Sequence, residues 1–246
     1  MLHLLTIILT IGTSITLGAP PNGRIFGGQL ASPGQFPFIV HLSGDCGGTI
    51  INNNWVLTAA HCLNYVSDTA TVLAGTTNLN SGGLKYNITQ YIVHEDYDPW
   101  TGWGAKNDIG LVQIDGEFDF NDLVQSAEFT DPEENSRCIA AGWGSTADDV
   151  DPKDLRFVEL TAFNFELCRD VAGDELGQSY LGPEQVCAEG PVGKGACFGD
   201  SGGPLVCDGK LAGVVSYAIL ACAQGYPDVY TKPTAYVDWI NEKVQS

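Results

Sequence analysis

The sequence predicts an all-β protein made of two β units and closed by a C-terminal helix. Three observations carry this expectation. Short apolar runs recur along the chain, separated by clusters of Gly, Asn, Asp and Ser, which is the pattern of a sandwich or barrel. No long helical period interrupts them before the last stretch. An acidic connector, Glu128–Asn135, divides the runs into two groups.

The elements follow in order. Met1 to Gly18 holds no charged residue except the weakly basic His3, and Leu4–Leu17 is almost wholly apolar or Thr, Ser and Gly. Thr16 and Gly18 suit a signal-peptidase site, so residues 1–18 read as a secretory signal that lacks the usual basic start. The run is short for a bilayer and no basic flank follows it, so no membrane span is expected. Ala19-Pro20-Pro21-Asn22-Gly23-Arg24 reads as a short exposed peptide. The first unit contains the runs Phe36–Leu42, Gly48–Ile51, Trp55–Thr58, Thr71–Ala74, Tyr91–Val93 and Ile109–Ile114. The second contains Arg137–Gly142, Leu155–Thr161, Pro204–Cys207, Lys210–Tyr217 and Asp228–Thr231. Asn164–Ala172 reads as a short helix. Thr234–Val244 reads as the terminal helix: Tyr236, Ile240 and Val244 recur at i, i+4 and i+8, and Pro233 stands just before it.

Composition narrows the function. The 246 residues carry a formal net charge of −19, and beyond Arg24 ten basic residues face 30 acidic ones. That balance argues against nucleic acid or an anionic membrane as a partner. It favours neutral or basic substrates. Eight cysteines fit four disulfides in an oxidising compartment. With no Cys-x-x-Cys pair and four scattered His, a metal site is disfavoured.

The chemistry centres on Gly199-Asp200-Ser201-Gly202-Gly203-Pro204. Small residues around a serine leave its hydroxyl open and admit a substrate backbone. The N–H groups of Gly199 and Ser201 can converge on one point as an oxyanion hole. Asp200 wants a cationic partner. A cut after Arg24 would free an α-ammonium at Ile25, which is one candidate. His61, in Thr58-Ala59-Ala60-His61-Cys62, titrates in the range of a general base. Asp108, in Asn107-Asp108-Ile109, stands before an apolar strand, where a buried carboxylate needs a donor such as an imidazole N–H. Taken singly, these residues read as a glycine turn, a linker, a surface His and a strand cap.

Together, in the chain order His61, Asp108, Ser201, they resemble the trypsin/chymotrypsin family of serine endopeptidases. The resemblance runs from Ile25 to the C-terminus on Ile25-Phe26-Gly27-Gly28, Thr58 to Cys62, Asn107-Asp108-Ile109, Gly142-Trp143-Gly144 and Gly199 to Pro204. It implies two packed six-stranded antiparallel β-barrels, about residues 25–130 and about 131–246, with the site between them. It implies Ser201 as nucleophile, His61 as general base and Asp108 as the acid that orients it. Gly199 and Ser201 would hold the oxyanion. Ser216 would hydrogen-bond Asp108 and lie along the substrate. Ile25, freed after Arg24, would pair with Asp200, making the chain a secreted zymogen with residues 19–24 as its activation peptide. The implied disulfides are Cys46–Cys62, Cys138–Cys207, Cys168–Cys187 and Cys197–Cys222. No cofactor or metal is implied. Expected partners are protein substrates, an activating trypsin-like protease and protein protease inhibitors, and the chain is expected to be monomeric.

The pocket departs from the trypsins. Six residues before Ser201, where trypsins carry an acid, stands Gly195, followed by Ala196. The resemblance implies that Ser216 and Tyr217 bind substrate, that Ala218 stands on one wall of the pocket and Asp228 on the other, and that Phe198 is at the mouth. The expected preference is for Phe, Tyr or Leu, with a basic minority activity drawn by Asp228. The alternatives are a broad elastase-like or collagenolytic enzyme, or a non-catalytic binding protein on the same fold. Asn87-Ile88-Thr89 is a glycosylation sequon expected in a loop. Thr76–Asn87, which resembles the family's calcium loop, lacks carboxylates, so no calcium is expected there. Asp148-Asp149-Val150-Asp151 reads as a solvated acidic loop.

Overall fold

The structure is a computed structural model that describes residues 27–64, 66–67, 69–99, 105–146, 152–176 and 181–245. The signal segment, Arg24, Ile25 and the acidic run at 148–151 lie outside the described residues.

Two closed antiparallel barrels form the body. The first comprises β2 (Ile39–Leu42), β3 (Cys46–Ile50), β4 (Trp55–Thr58), β5 (Thr71–Ala74), β6 (Leu84–Val93) and β7 (Gly110–Ile114), closed in the order β2-β3-β4-β7-β6-β5. β-Branched and aliphatic side chains fill it, with Val40, Ile50, Val56, Val72 and Val112 fully buried. The second comprises β8 (Arg137–Gly142), β9 (Arg156–Phe163), β10 (Gln185–Glu189), β11 (Pro204–Cys207), β12 (Lys210–Ala218) and β13 (Asp228–Thr231). Its strands run β9-β10-β13-β12-β11-β8, and a β8–β9 pairing closes the ring. Along β9 burial alternates, as a strand with one face on a core requires.

The barrels exchange their terminal segments. β1 (Gln29–Leu30) pairs with β9 in the second barrel. The C-terminal helix α2 (Val237–Val244) instead carries Ile240 onto Trp55, Leu57 and Leu111 of the first. Between the barrels, Phe36, Phe38 and Ile39 pack on Trp143, Leu155 and Val206. These contacts fix the mutual placement of the two halves, and so of any site between them.

Departures from the sequence reading have local causes. The terminal helix begins as a 3-10 turn, Pro233–Tyr236, because Pro233 starts it without an N–H to give. α1 (Phe165–Leu176) runs past Ala172, and the Asn164 side chain accepts the Leu167 N–H at 2.9 Å to begin it. β6 starts at Leu84 rather than Tyr91, and β10 carries no long apolar run. The Asn87 sequon therefore lies in a strand, with Asn87 exposed, and not in a loop. Disulfides join Cys46–Cys62, Cys138–Cys207, Cys168–Cys187 and Cys197–Cys222, the pairs implied by the resemblance.

Candidate active site

His61 stands in the 3-10 turn Ala60–Leu63, directly after β4. Buried Ala59, Ala60 and Leu63 seat the turn, and the Cys46–Cys62 bridge ties it to β3. Asp108 enters from the start of β7. Asn107 before it adopts φ 53°, a left-handed conformation that Asn tolerates, and its side chain accepts the Tyr236 hydroxyl at 2.9 Å. The Asp108 carbonyl accepts Thr231 Oγ1 at 2.8 Å. The carboxylate is thus aimed from both sides.

Asp108 is 1% exposed, and three donors satisfy it. Oδ1 accepts the His61 backbone N–H at 2.9 Å. Oδ2 accepts from His61 Nδ1 at 2.8 Å and from Ser216 Oγ at 2.5 Å. With the Nδ1 proton held there, Nε2 is the basic nitrogen. Burial pushes the Asp108 carboxyl up, but hydrogen bonds from His61 and Ser216 and the imidazole charge outweigh it and hold it below its usual range. Burial alone would depress His61; its hydrogen bond and attraction to Asp108 lift it above 6.5.

The Ser201 turn is clamped between the barrels. Its carbonyl accepts the Gly47 N–H at 2.8 Å from β3. Gly202 donates to Val215 O, and Val215 donates to Gly203 O, both at 2.9 Å. The residue after Val215 is Ser216, which reaches Asp108. Gly202 has φ 74°, and a Cβ there would lie 2.2 Å from Thr58 Oγ1, three residues before His61. These contacts tie the Ser201 turn to β3, which the Cys46–Cys62 bridge joins to the His61 turn, and to β12, whose Ser216 reaches Asp108. Gly199 has φ 92°, and a Cβ would stand 3.0 Å from Gly144 Cα. Neither the Gly199 nor the Ser201 amide donates to an acceptor among the described residues.

Asp200 is 2% exposed and points away from solvent. Its oxygens accept Gly144 N–H at 2.8 Å and Cys197 N–H at 2.9 Å. Burial nevertheless pushes its carboxyl up to about 7. Among the described residues no Lys, Arg or His pairs with it.

Beside Ser201 opens a cleft of about 350 Å³. Its walls include Ala196, Val215, Tyr217, Ala218 and the Cys197–Cys222 bridge, with Asp228 among them. Phe198 stands at its edge and is 80% exposed. Burial pushes the Tyr217 hydroxyl up to about 12, against a hydrogen bond with Gln185. Asp228 Oδ2 accepts the Ala196 N–H at 2.9 Å, and a Cβ on Gly195 would come within 3.0 Å of that oxygen. Gly195 is therefore beside Asp228. Thr58, Thr231 and Asn107 were not singled out as site residues from the sequence. Each acts through contacts distant in sequence; Thr58 and Asn107 stand at the head of the His61 and Asp108 motifs, whereas no local motif marks Thr231. A second cleft, about 150 Å³, lies across Phe198 and is lined by His41, Asp45 and Trp143; it too has no sequence signature. The residues within metal-ligand distance among those described, Cys46, His61 and Cys62, are a disulfide beside an imidazole, so they offer no thiolate.

The family described as Trypsin matches residues 25–240. The chain is 33% identical to trypsin alpha-4 of Lucilia cuprina, over 96% of this chain and 94% of that one. It is 35% identical to hypodermin-A of Hypoderma lineatum, over 92% and 91%. Among solved structures it is similar to neuropsin, a serine protease expressed in the limbic system of mouse brain. The TM-score is 0.78 at 29% identity, covering 88% of this chain and 98% of the other.

Proposed function

Because this chain belongs to the trypsin family and is a serine protease acting on proteins, we propose a specific division of labour among its residues. Ser201 Oγ attacks the scissile carbonyl. His61 Nε2 takes its proton and returns it to the leaving amine. Asp108 holds His61 by two hydrogen bonds, one from the imidazole Nδ1 and one from the backbone N–H, and stabilises the imidazolium, the arrangement for which this family is the type case. The Gly199 and Ser201 N–H groups receive the oxyanion; losing one such donor typically costs about 10²–10³ in rate. Water then hydrolyses the acyl-enzyme by the same route in reverse. The observation that carries the reading is the grip of buried Asp108 on both His61 N–H groups.

The chain is secreted through its signal at 1–18 and made as a zymogen with an activation peptide at 19–24. A trypsin-like protease cuts after Arg24, and the Ile25 ammonium then pairs with Asp200, the buried acid without a described cation. The peptidase unit spans residues 25–246 and works as a monomer open to protein protease inhibitors. Asn87, exposed on β6, is available for glycosylation.

The cleft prefers Phe, Tyr or Leu at the cleaved position. Relatives named trypsins match this chain, yet it lacks the acid that trypsins carry at the position of Gly195. Asp228 supplies a lesser attraction for basic side chains. Measured kcat/KM on Phe-, Leu-, Ala- and Arg-terminated amides tests this: Phe or Leu is expected to lead. Arg better by about tenfold, some 1.4 kcal/mol, contradicts it. Ala leading favours the elastase-like alternative.

A further inference from the structure

We infer that His94, a second histidine outside the cleft, is a positioning residue for the reaction: its ring organises both groups that grip Asn107, and Asn107 sets the direction in which Asp108 faces His61. The inference rests on the proteolytic reading above and adds to it a residue that acts only through others.

Asn107 is the lever because one peptide unit joins it to Asp108. Its φ of 53° is left-handed, a conformation that residues with a Cβ rarely hold unless their surroundings impose it. The surroundings here grip both ends of its side chain. Oδ1 accepts the Tyr236 hydroxyl at 2.9 Å, and Nδ2 donates to the Asp96 carbonyl at 2.8 Å. Its own carbonyl accepts the Ile109 N–H at 2.8 Å, which closes the chain tightly around Asp108.

Both grips lead back to His94. This residue follows β6 directly, and its Nδ1 accepts the Asp96 N–H at 3.2 Å. Its carbonyl accepts the Tyr97 N–H at 3.0 Å, so one histidine shapes the turn that presents the Asp96 carbonyl to Asn107. The same ring meets Tyr236 edge-on, with centroids 5.3 Å apart, and lies 4.9 Å from the Trp239 ring. Trp239 is anchored in turn: its Nε1 donates to Glu95 at 2.7 Å, and Lys243 of α2 pairs with Glu95 at 2.5 Å. The His94 N–H donates to the Ile109 carbonyl at 3.2 Å, one residue beyond Asp108. A single imidazole thus ties the turn after β6 and the C-terminal helix to the start of β7.

The role requires a free lone pair on Nδ1, hence a neutral ring. Burial lowers the proton affinity of His94 and outweighs the pull of Glu95 and Asp96 in its own turn, while Lys243 from α2 acts in the same direction as burial. His61 is shifted the opposite way, so His94 is already neutral where His61 changes charge. The two histidines have separate tasks: His61 carries the proton, and His94 keeps its own nitrogen bare to hold a turn.

The test uses the full chain cleaved after Arg24 and a Phe-terminated amide. His94→Phe keeps a ring beside Tyr236 and Trp239 and deletes only the acceptor. Tyr236→Phe deletes only the hydroxyl that reaches Asn107, and it carries the test should His94→Phe fail to fold. Each variant should lower kcat per titrated active site by about three- to tenfold, the effect of one hydrogen bond, with KM unchanged. In each the acid limb of the pH-rate profile should move down toward 6.5, because a displaced Asp108 lifts His61 less. A role in stability alone would move neither kcat per active site nor that limb. A second readout needs no turnover: the far-downfield proton NMR signal of the His61 Nδ1–H, assigned by its loss in His61→Ala, should shift or broaden in both variants. Should the wild type cleave no amide while this signal responds as described, the proteolytic reading fails and the positioning role stands. An unchanged kcat, an acid limb that stays in place, or a signal unmoved in both variants overturns the inference.

Discussion

A carboxylate buried to 1% exposure persists only when its oxygens are occupied, and Asp108 meets that condition through His61 and Ser216. The bond lifts His61 and lowers Asp108, so the two shifts describe one interaction from its two ends. In the proposed mechanism catalysis needs the neutral imidazole. The acid limb of kcat/KM for the Phe substrate should therefore fall above 6.5, the ordinary value for His. A pH-rate profile checks this, and a limb at or below that value contradicts it. Asp108→Asn should cut kcat by about 10²–10⁴, the range of a general base's contribution, with KM little changed. The motif residues were legible because each sits in a short run of unusual composition. Thr231 was not, and neither was the part Asn107 plays within its motif, since their value lies in reaching Asp108 and Tyr236 across more than a hundred residues of chain.

The strands and turns convert those residues into a site. Gly202 sits at φ 74° with Thr58 and Gly47 closing on its α-carbon. An alanine there meets both the left-handed penalty, about 1–2 kcal/mol, and a clash with the strand that leads to His61. Gly202→Ala should lower Tm and reduce titratable active sites together; an unchanged Tm would contradict the packing described. Cys197–Cys222 joins two stretches of the cleft wall. Replacing both by Ala should cost about 2–4 kcal/mol and raise KM for the Phe substrate. Most strands were legible from apolar runs. β6 was seen only at its end, because its outer half is exposed and carries Lys, Asn, Thr and Gln. β1 and β10 were missed because neither is marked by a long apolar run. Closure of the barrels came from the resemblance, since strand order depends on contacts that spacing does not encode.

Two buried acids and the proposed cut after Arg24 bear on the stability of the whole molecule. Asp200 and Asp228 hold protons up to about 7 when folded, against 3.8 as the ordinary value. Between those values the folded chain binds more protons than the unfolded one, so the stability of the uncleaved chain falls as pH rises through that window. In the proposed activation, cleavage after Arg24 gives Asp200 a cation. The gain in Tm on cleavage should then be larger at about pH 8 than at about pH 5, with each 1 kcal/mol appearing as about 2–4 °C. An equal gain at both pH values would contradict the proposed pairing. The charge of −19 adds to this, because acidification also relieves self-repulsion. The central claim is that Ser201 is a nucleophile activated by His61 once Arg24 is cut. Stoichiometric labelling with a sulfonyl fluoride tests it most directly. The account predicts one label per cleaved chain, located on Ser201, sharply slowed in His61→Ala and absent in Ser201→Ala. No labelling of the cleaved chain, or a label elsewhere, would contradict it.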